Sequence, residues 1–121
     1  MKALVNRGEN AFRKKERIRQ RAAYLLIYQR GIRAHSRYFT VVSHENQVGY
    51  GRIGITVSKK VGDAVRRNRT KRLIREFFRL NKSRLTTSRD IVVIGKKGIP
   101  YLSYQDIYRE LACLLSPEAG E

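Results

Sequence analysis

Arg52 to Arg79 reads RIGITVSKKVGDAVRRNRTKRLIREFFR, and the change of period inside this stretch decides the fold. Arg52-Ile53-Gly54-Ile55-Thr56-Val57 alternates, as a half-buried strand does. Beyond Ser58-Lys59-Lys60-Val61-Gly62 the apolar residues recur at helical spacing, with Asp63 as N-cap and a helix predicted to about Asn81. Its apolar stripe is expected at Val65, Leu73, Ile74, Phe77 and Leu80, with Phe78 at the edge. The rest of the helix is basic. Arg67, Lys71, Arg75 and Arg79 stack four residues apart along one ridge, and Arg69 and Arg72 form a second column beside it. Like charges at that spacing cost an isolated helix roughly 0.2–0.5 kcal/mol per pair, and beyond the Asp63 cap only Glu76 offsets them within the stretch. A solvated helix face normally mixes Glu with Lys. This one does not, so its partner is expected to be a polyanion, RNA or DNA.

Lys59, Lys60 and Gly62 lie on the turn from strand to helix. They could hold a phosphate at the helix N-terminus, or serve as a plain connector that needs Gly62 for its turn; both readings stand.

Upstream, Ala22–Arg30 predicts a helix, with Gly31 as its C′ cap. Tyr24, Ile27 and Tyr28 share one of its faces. Phe39 follows in a β run, Tyr38–Val42. Aromatic faces inside a positive region are what single-stranded nucleic acid stacks on. For Phe39 ordinary core packing is the stronger reading; for the tyrosines, whose hydroxyls need water or a partner, both remain open. A weaker extended piece is expected around Ile32–His35, and the polar link Ser43–Gly51 reads as a hairpin loop. Downstream, Asp90–Ile94 is short and nearly all apolar, hence a strand buried on both faces. Ser103 and Asp106 make a capping box for a last helix bearing Tyr104, Ile107, Tyr108, Leu111, Leu114 and Leu115 at helical spacing, stopped by Pro117. The order predicts a single α+β domain.

The whole chain has 121 residues, 27 basic and 10 acidic, for a net charge of +17, with 41% apolar and 31% charged side chains. The excess is segregated: residues 1–37 hold 11 basic and 2 acidic side chains and residues 59–89 hold 12 and 2, while 38–58 are neutral and 90–121 slightly acidic. Such a division marks an electrostatic surface, and bound anions are expected to stabilise the fold. No apolar run reaches a membrane span and the N-terminus lacks a secretory core, so a cytoplasmic protein is expected. Cys113 cannot form an internal disulfide and is expected as a small core residue. His35 and His44 flank a strand and should point to opposite faces. The acids are scattered rather than clustered for two metals, so neither a metal site nor a self-sufficient nuclease is expected. No P-loop, dinucleotide-binding glycine pattern or nucleophile elbow occurs, so the protein alone should not be catalytic.

Ser58-Lys59-Lys60-Val61-Gly62 through Arg67-Asn68-Arg69-Thr70-Lys71-Arg72-Leu73-Ile74-Arg75-Glu76 resembles the Arg-Asn-Arg signature of the protein component of bacterial ribonuclease P. The resemblance covers about residues 12–115. It implies an α-β-β-β-α-β-α domain over residues 12–116, ribosomal-protein-like, around a four-stranded sheet with a left-handed βαβ crossover, a departure from the usual right-handed rule. Residues 1–11 are then a flexible basic N-terminus and 117–121 a short tail.

By the same resemblance, an RNA subunit cleaves the 5′ leader from precursor tRNA, using Mg2+ and leaving a mature 5′-phosphate. The protein binds that catalytic RNA, one to one, and the single-stranded leader, raising substrate affinity and lowering the Mg2+ requirement. No membrane and no small-molecule substrate is implied. Arg67, Asn68, Arg69, Lys71, Arg72 and Arg75 would face the catalytic RNA. Tyr24, Tyr28 and Phe39, with Lys59 and Lys60, would line the leader cleft. The family usually has Phe where Tyr24 stands; the ring is kept for stacking, and the added hydroxyl is available to bond the leader backbone. Composition alone would equally fit a ribosomal or other structural RNA-binding protein. A cationic membrane-surface peptide is disfavoured because the apolar pattern includes strands rather than one long amphipathic helix.

Overall fold

The computed structural model describes residues 14–85 and 88–115, so the expectations for residues 1–11 and for 117–121 lie outside the described residues. A 3₁₀ turn, Lys14–Glu16, leads to helix α1 (Arg21–Arg30). Strands β1 (Ile32–His35), β2 (Phe39–Glu45) and β3 (Arg52–Thr56) follow, then α2 (Ala64–Leu85), β4 (Arg89–Gly95) and α3 (Tyr104–Leu115). This is the predicted α-β-β-β-α-β-α order.

The sheet order is β1-β2-β4-β3. The all-apolar β4 occupies an inner position, antiparallel to β2 (Val41 opposite Val93) and parallel to β3 (Ile53 opposite Ile91). The hairpin expected between β2 and β3 is therefore absent, because β4 separates them. The hairpin that does form joins β1 to β2 through Ser36–Tyr38. It is pinned to α3, since Glu110 Oε1 accepts from Ser36 Oγ at 2.5 Å and from the Tyr38 amide at 3.0 Å.

Strand alternation sorts the apolar residues onto two faces. Phe39, Val41, Ile53, Ile91 and Val93 pack under α2 and α3 with Ile74, Phe77, Phe78, Ile107 and Leu111. Val42 and Val92 point the other way, against Ile27 of α1 and Ile18. Phe77 meets Tyr108 edge-on at 5.7 Å between the two helices on the larger core.

The caps follow the sequence. Asp63 Oδ1 accepts from the Arg66 amide at 2.9 Å. Ser103 and Asp106 form a reciprocal capping box, with the Ser103 amide donating to Asp106 Oδ2 at 2.9 Å and the Asp106 amide donating to Ser103 Oγ at 3.2 Å. That box holds the Asp106 carboxyl below its ordinary pKa, chiefly through the Ser103 amide.

The α2 stripe is rotated from expectation. Val65 is 67% and Leu80 43% exposed, while Thr70, Ile74, Phe77, Phe78 and Asn81 are buried. Two polar residues complete this stripe because the helix backbone satisfies them: Thr70 Oγ1 donates to the Arg66 carbonyl and Asn81 Nδ2 to that of Phe77, both at 2.9 Å. Gly31 ends α1 in extended backbone (φ −77°), not as a left-handed cap. It is glycine for space, since a Cβ there would lie 2.6 Å from the Ile27 carbonyl oxygen and 2.8 Å from that of Ser43. Cys113 is exposed on α3 rather than buried.

Candidate nucleic-acid interface

Helix α1 lies on the smaller core, and its Tyr24 and Tyr28 stay half-buried there. Their rings are 6.2 Å apart at 53°. The Tyr24 hydroxyl donates to the Ile18 carbonyl at 3.2 Å, and burial is the main cause that raises its pKa above the ordinary tyrosine value. It is seated over Gly54 of β3, where no side chain intervenes. The Arg33 guanidinium sits 5.8 Å from the centre of the Tyr28 ring, and Arg33 Nη2 donates to the Tyr28 carbonyl at 3.2 Å. The result is a pair of anchored aromatic rings beside fixed positive charge.

Phe39 does not join them. It is 0% exposed in the core beneath α2 and α3, on the sheet face opposite the tyrosines, so no ring face is free to stack on a base. His35 and His44, expected on opposite faces, share one. His35 pairs with Thr40, its Nδ1 3.0 Å from Thr40 Oγ1, and His44 lies four residues along β2 from Thr40. Four strand residues separate their levels, which leaves them too far apart for a general acid–base pair.

On α2 the residues expected to face RNA divide by exposure. Asn68, Arg72 and Arg75 are exposed, and Arg67 and Lys71 are partly so. Arg69 turns back, its Nη2 donating to the Leu102 carbonyl at 3.2 Å. Arg79 at the end of the ridge is neutralised by Glu76, with hydrogen bonds of 3.0 and 2.6 Å that lower the Glu76 pKa. Arg66, which lies outside the expected ridge, donates from Nη1 to the Ile99 carbonyl at 3.2 Å and lies 4.6 Å from the centre of the Tyr101 ring. Its only signal in the sequence is its place beside Arg67. Arg66 and Arg69 thus clamp the loop between β4 and α3 against α2. The Nε atoms of Arg66, Arg67 and Arg69 are buried without an acceptor.

Lys59 and Lys60 are exposed on the turn from β3 into α2. The phosphate reading of the α2 N-terminus is weakened, because the Asp63 carboxylate already occupies that cap. One strand connects the two sites: β3 carries Gly54 beneath Tyr24 and runs directly through Lys59 and Lys60 into the basic helix. Among the described residues no group of three or more His, Cys, Asp or Glu side chains could hold a metal, and no helix is long and apolar enough to cross a membrane.

Comparison with known proteins matches residues 12–117 to the Ribonuclease P family model. A ribonuclease P protein component of Syntrophus aciditrophicus is 54% identical over 106 residues, covering 88% of this chain and 89% of that protein. The structure of the Staphylococcus aureus RNase P protein superposes with a TM-score of 0.76 at 37% identity, covering 83% of this chain and 92% of that one. The Thermotoga maritima RNase P protein superposes with a TM-score of 0.75 at 38% identity, covering 83% and 94%.

Proposed function

Because the chain belongs to the ribonuclease P protein family, we propose that it is the accessory protein of a ribonucleoprotein that removes the 5′ leader from precursor tRNA in the cytoplasm. The RNA subunit carries the chemistry with Mg2+. The protein binds that RNA, one to one, along α2 with Arg67, Asn68, Lys71, Arg72 and Arg75. Arg69 contributes both to this surface and to the clamp on the following loop. The single-stranded leader stacks on Tyr24 and Tyr28, with Lys59 and Lys60 extending the positive edge. The protein thereby raises substrate affinity and lowers the Mg2+ needed.

The observation that carries this reading is the family match over residues 12–117, which includes the whole basic helix and both tyrosines. The alternative of a structural RNA-binding protein without a part in cleavage has no comparable support. The test is equilibrium binding of precursor and mature tRNA to the RNA subunit with and without the protein. The protein should tighten binding of the leader-bearing substrate and leave mature tRNA nearly unchanged. Equal tightening of both would remove the leader role.

A further inference from the structure

Between the Lys14–Glu16 turn and the first turn of α1 lies an open hollow of about 480 Å³, within the range of small-ligand sites. Its floor is Ile18 and Ala23, and Lys14, Arg17, Arg19 and Arg52 stand around it with no carboxylate among the lining residues. Arg52 is held in place and largely neutralised by Asp90 through two bonds of 2.7 Å, so the cationic character of the rim rests on Lys14, Lys15 and Arg19. Lys15, also at the wall, lies 4.5 Å from the centre of the Tyr50 ring. Gln20, the N-cap of α1, makes no side-chain cap hydrogen bond, and the first turn of the helix has no acid. The positive end of the helix therefore adds to the cationic rim.

An aliphatic floor under a cationic rim has the chemistry of a nucleotide site, with sugar and base against the floor and phosphate among the cations. The hollow also starts where Tyr24 ends. Ala23 on its floor precedes Tyr24, and the carbonyl of Ile18 accepts the Tyr24 hydroxyl. We propose that this hollow binds one further nucleotide of the single-stranded RNA that stacks on Tyr24 and Tyr28, beyond the Tyr24 end. The proposal rests on the leader reading given above and adds to it the direction in which the strand continues.

The test uses the assembled ribonucleoprotein and precursor tRNAs whose leaders lengthen one nucleotide at a time. With the unaltered protein, affinity should climb with leader length to a plateau. A Lys14→Ala/Arg19→Ala variant changes two exposed side chains and leaves the core untouched. It should match the unaltered protein on mature tRNA and on short leaders, reach its plateau one nucleotide earlier, and bind the longest leaders about tenfold more weakly at low salt. A loss equal at every length, mature tRNA included, would overturn the proposal and assign these cations to the catalytic RNA. No loss at any length would overturn it as well. An unaltered protein indifferent to leader length would remove the leader reading itself, and the proposal with it.

Discussion

The Tyr24 hydroxyl occupies the space above Gly54: a Cβ built at 54 would lie 2.5 Å from that oxygen. The strand therefore yields a side chain so that an aromatic ring from α1 can reach the sheet. Gly54→Ala should displace Tyr24, at a cost of about 1–3 kcal/mol for overpacking a buried site. It should also weaken leader-bearing substrate more than mature tRNA. Thermal unfolding and a paired binding assay read the two effects.

The hydroxyl itself is separable from the ring. Tyr24→Phe should lose the bond to the Ile18 carbonyl, about 0.5–1.5 kcal/mol of stability, while leader affinity holds. Because burial raises the folded-state pKa, the phenol's contribution is fully present below the ordinary tyrosine value of about 10 and is lost as pH rises through the raised folded value. Denaturation midpoints followed from neutral to alkaline pH should therefore fall more steeply for the unaltered protein than for Tyr24→Phe. Equal slopes would show that Tyr24 is not the group responsible.

Arg72 and Arg69 should respond differently although both belong to the basic helix. Arg72→Glu reverses an exposed charge, so RNA affinity falls and stability holds. The slope of log affinity against log salt should flatten by about 0.9 for each duplex phosphate that the guanidinium had neutralised. Arg69→Ala should also free the loop that its bond to Leu102 restrains, costing about 1 kcal/mol. Salt titrations beside urea unfolding distinguish the two. Identical behaviour would contradict the clamp.

At the other end of the sheet, the Asp90 side chain is 7% exposed and takes two bonds from Arg52, whose own side chain is 27% exposed. Asp90→Ala strands that guanidinium and the Asn46 amide that also donates to the carboxylate. The expected loss is about 3 kcal/mol, the lower end for a broken buried pair because Arg52 keeps some water. Urea unfolding measures it.

Local signals make much of this fold legible. The alternation of Arg52–Val57, the apolar run of β4, the Asp63 cap and the Ser103–Asp106 box each depend on residues close in the chain, and each forms. What depends on distant partners is not legible. Nothing local says that β4 inserts between β2 and β3, which is why Ser43–Gly51 resembles a hairpin loop. Thr70 and Asn81 are polar and so escape an apolar stripe, although each bonds to its own helix. Phe39 and the tyrosines are aromatics near basic residues in sequence, yet the β2 pleat turns Phe39 into the core under α2 and α3, while α1 lays the tyrosines on the other sheet face. The basic helix is readable as a charged surface, but the inward turn of Arg69 and the packing of Arg66 on Tyr101 follow from where the β4–α3 loop crosses α2.

The most direct measurement is cleavage of 5′-labelled precursor tRNA at low Mg2+ by the protein alone, by a ribonuclease P RNA alone, and by the two together. Correct 5′ maturation only when both are present is the predicted result, with the rate falling when Arg72 is reversed. Cleavage by purified protein alone, or tight RNA binding with no stimulation, would contradict the account.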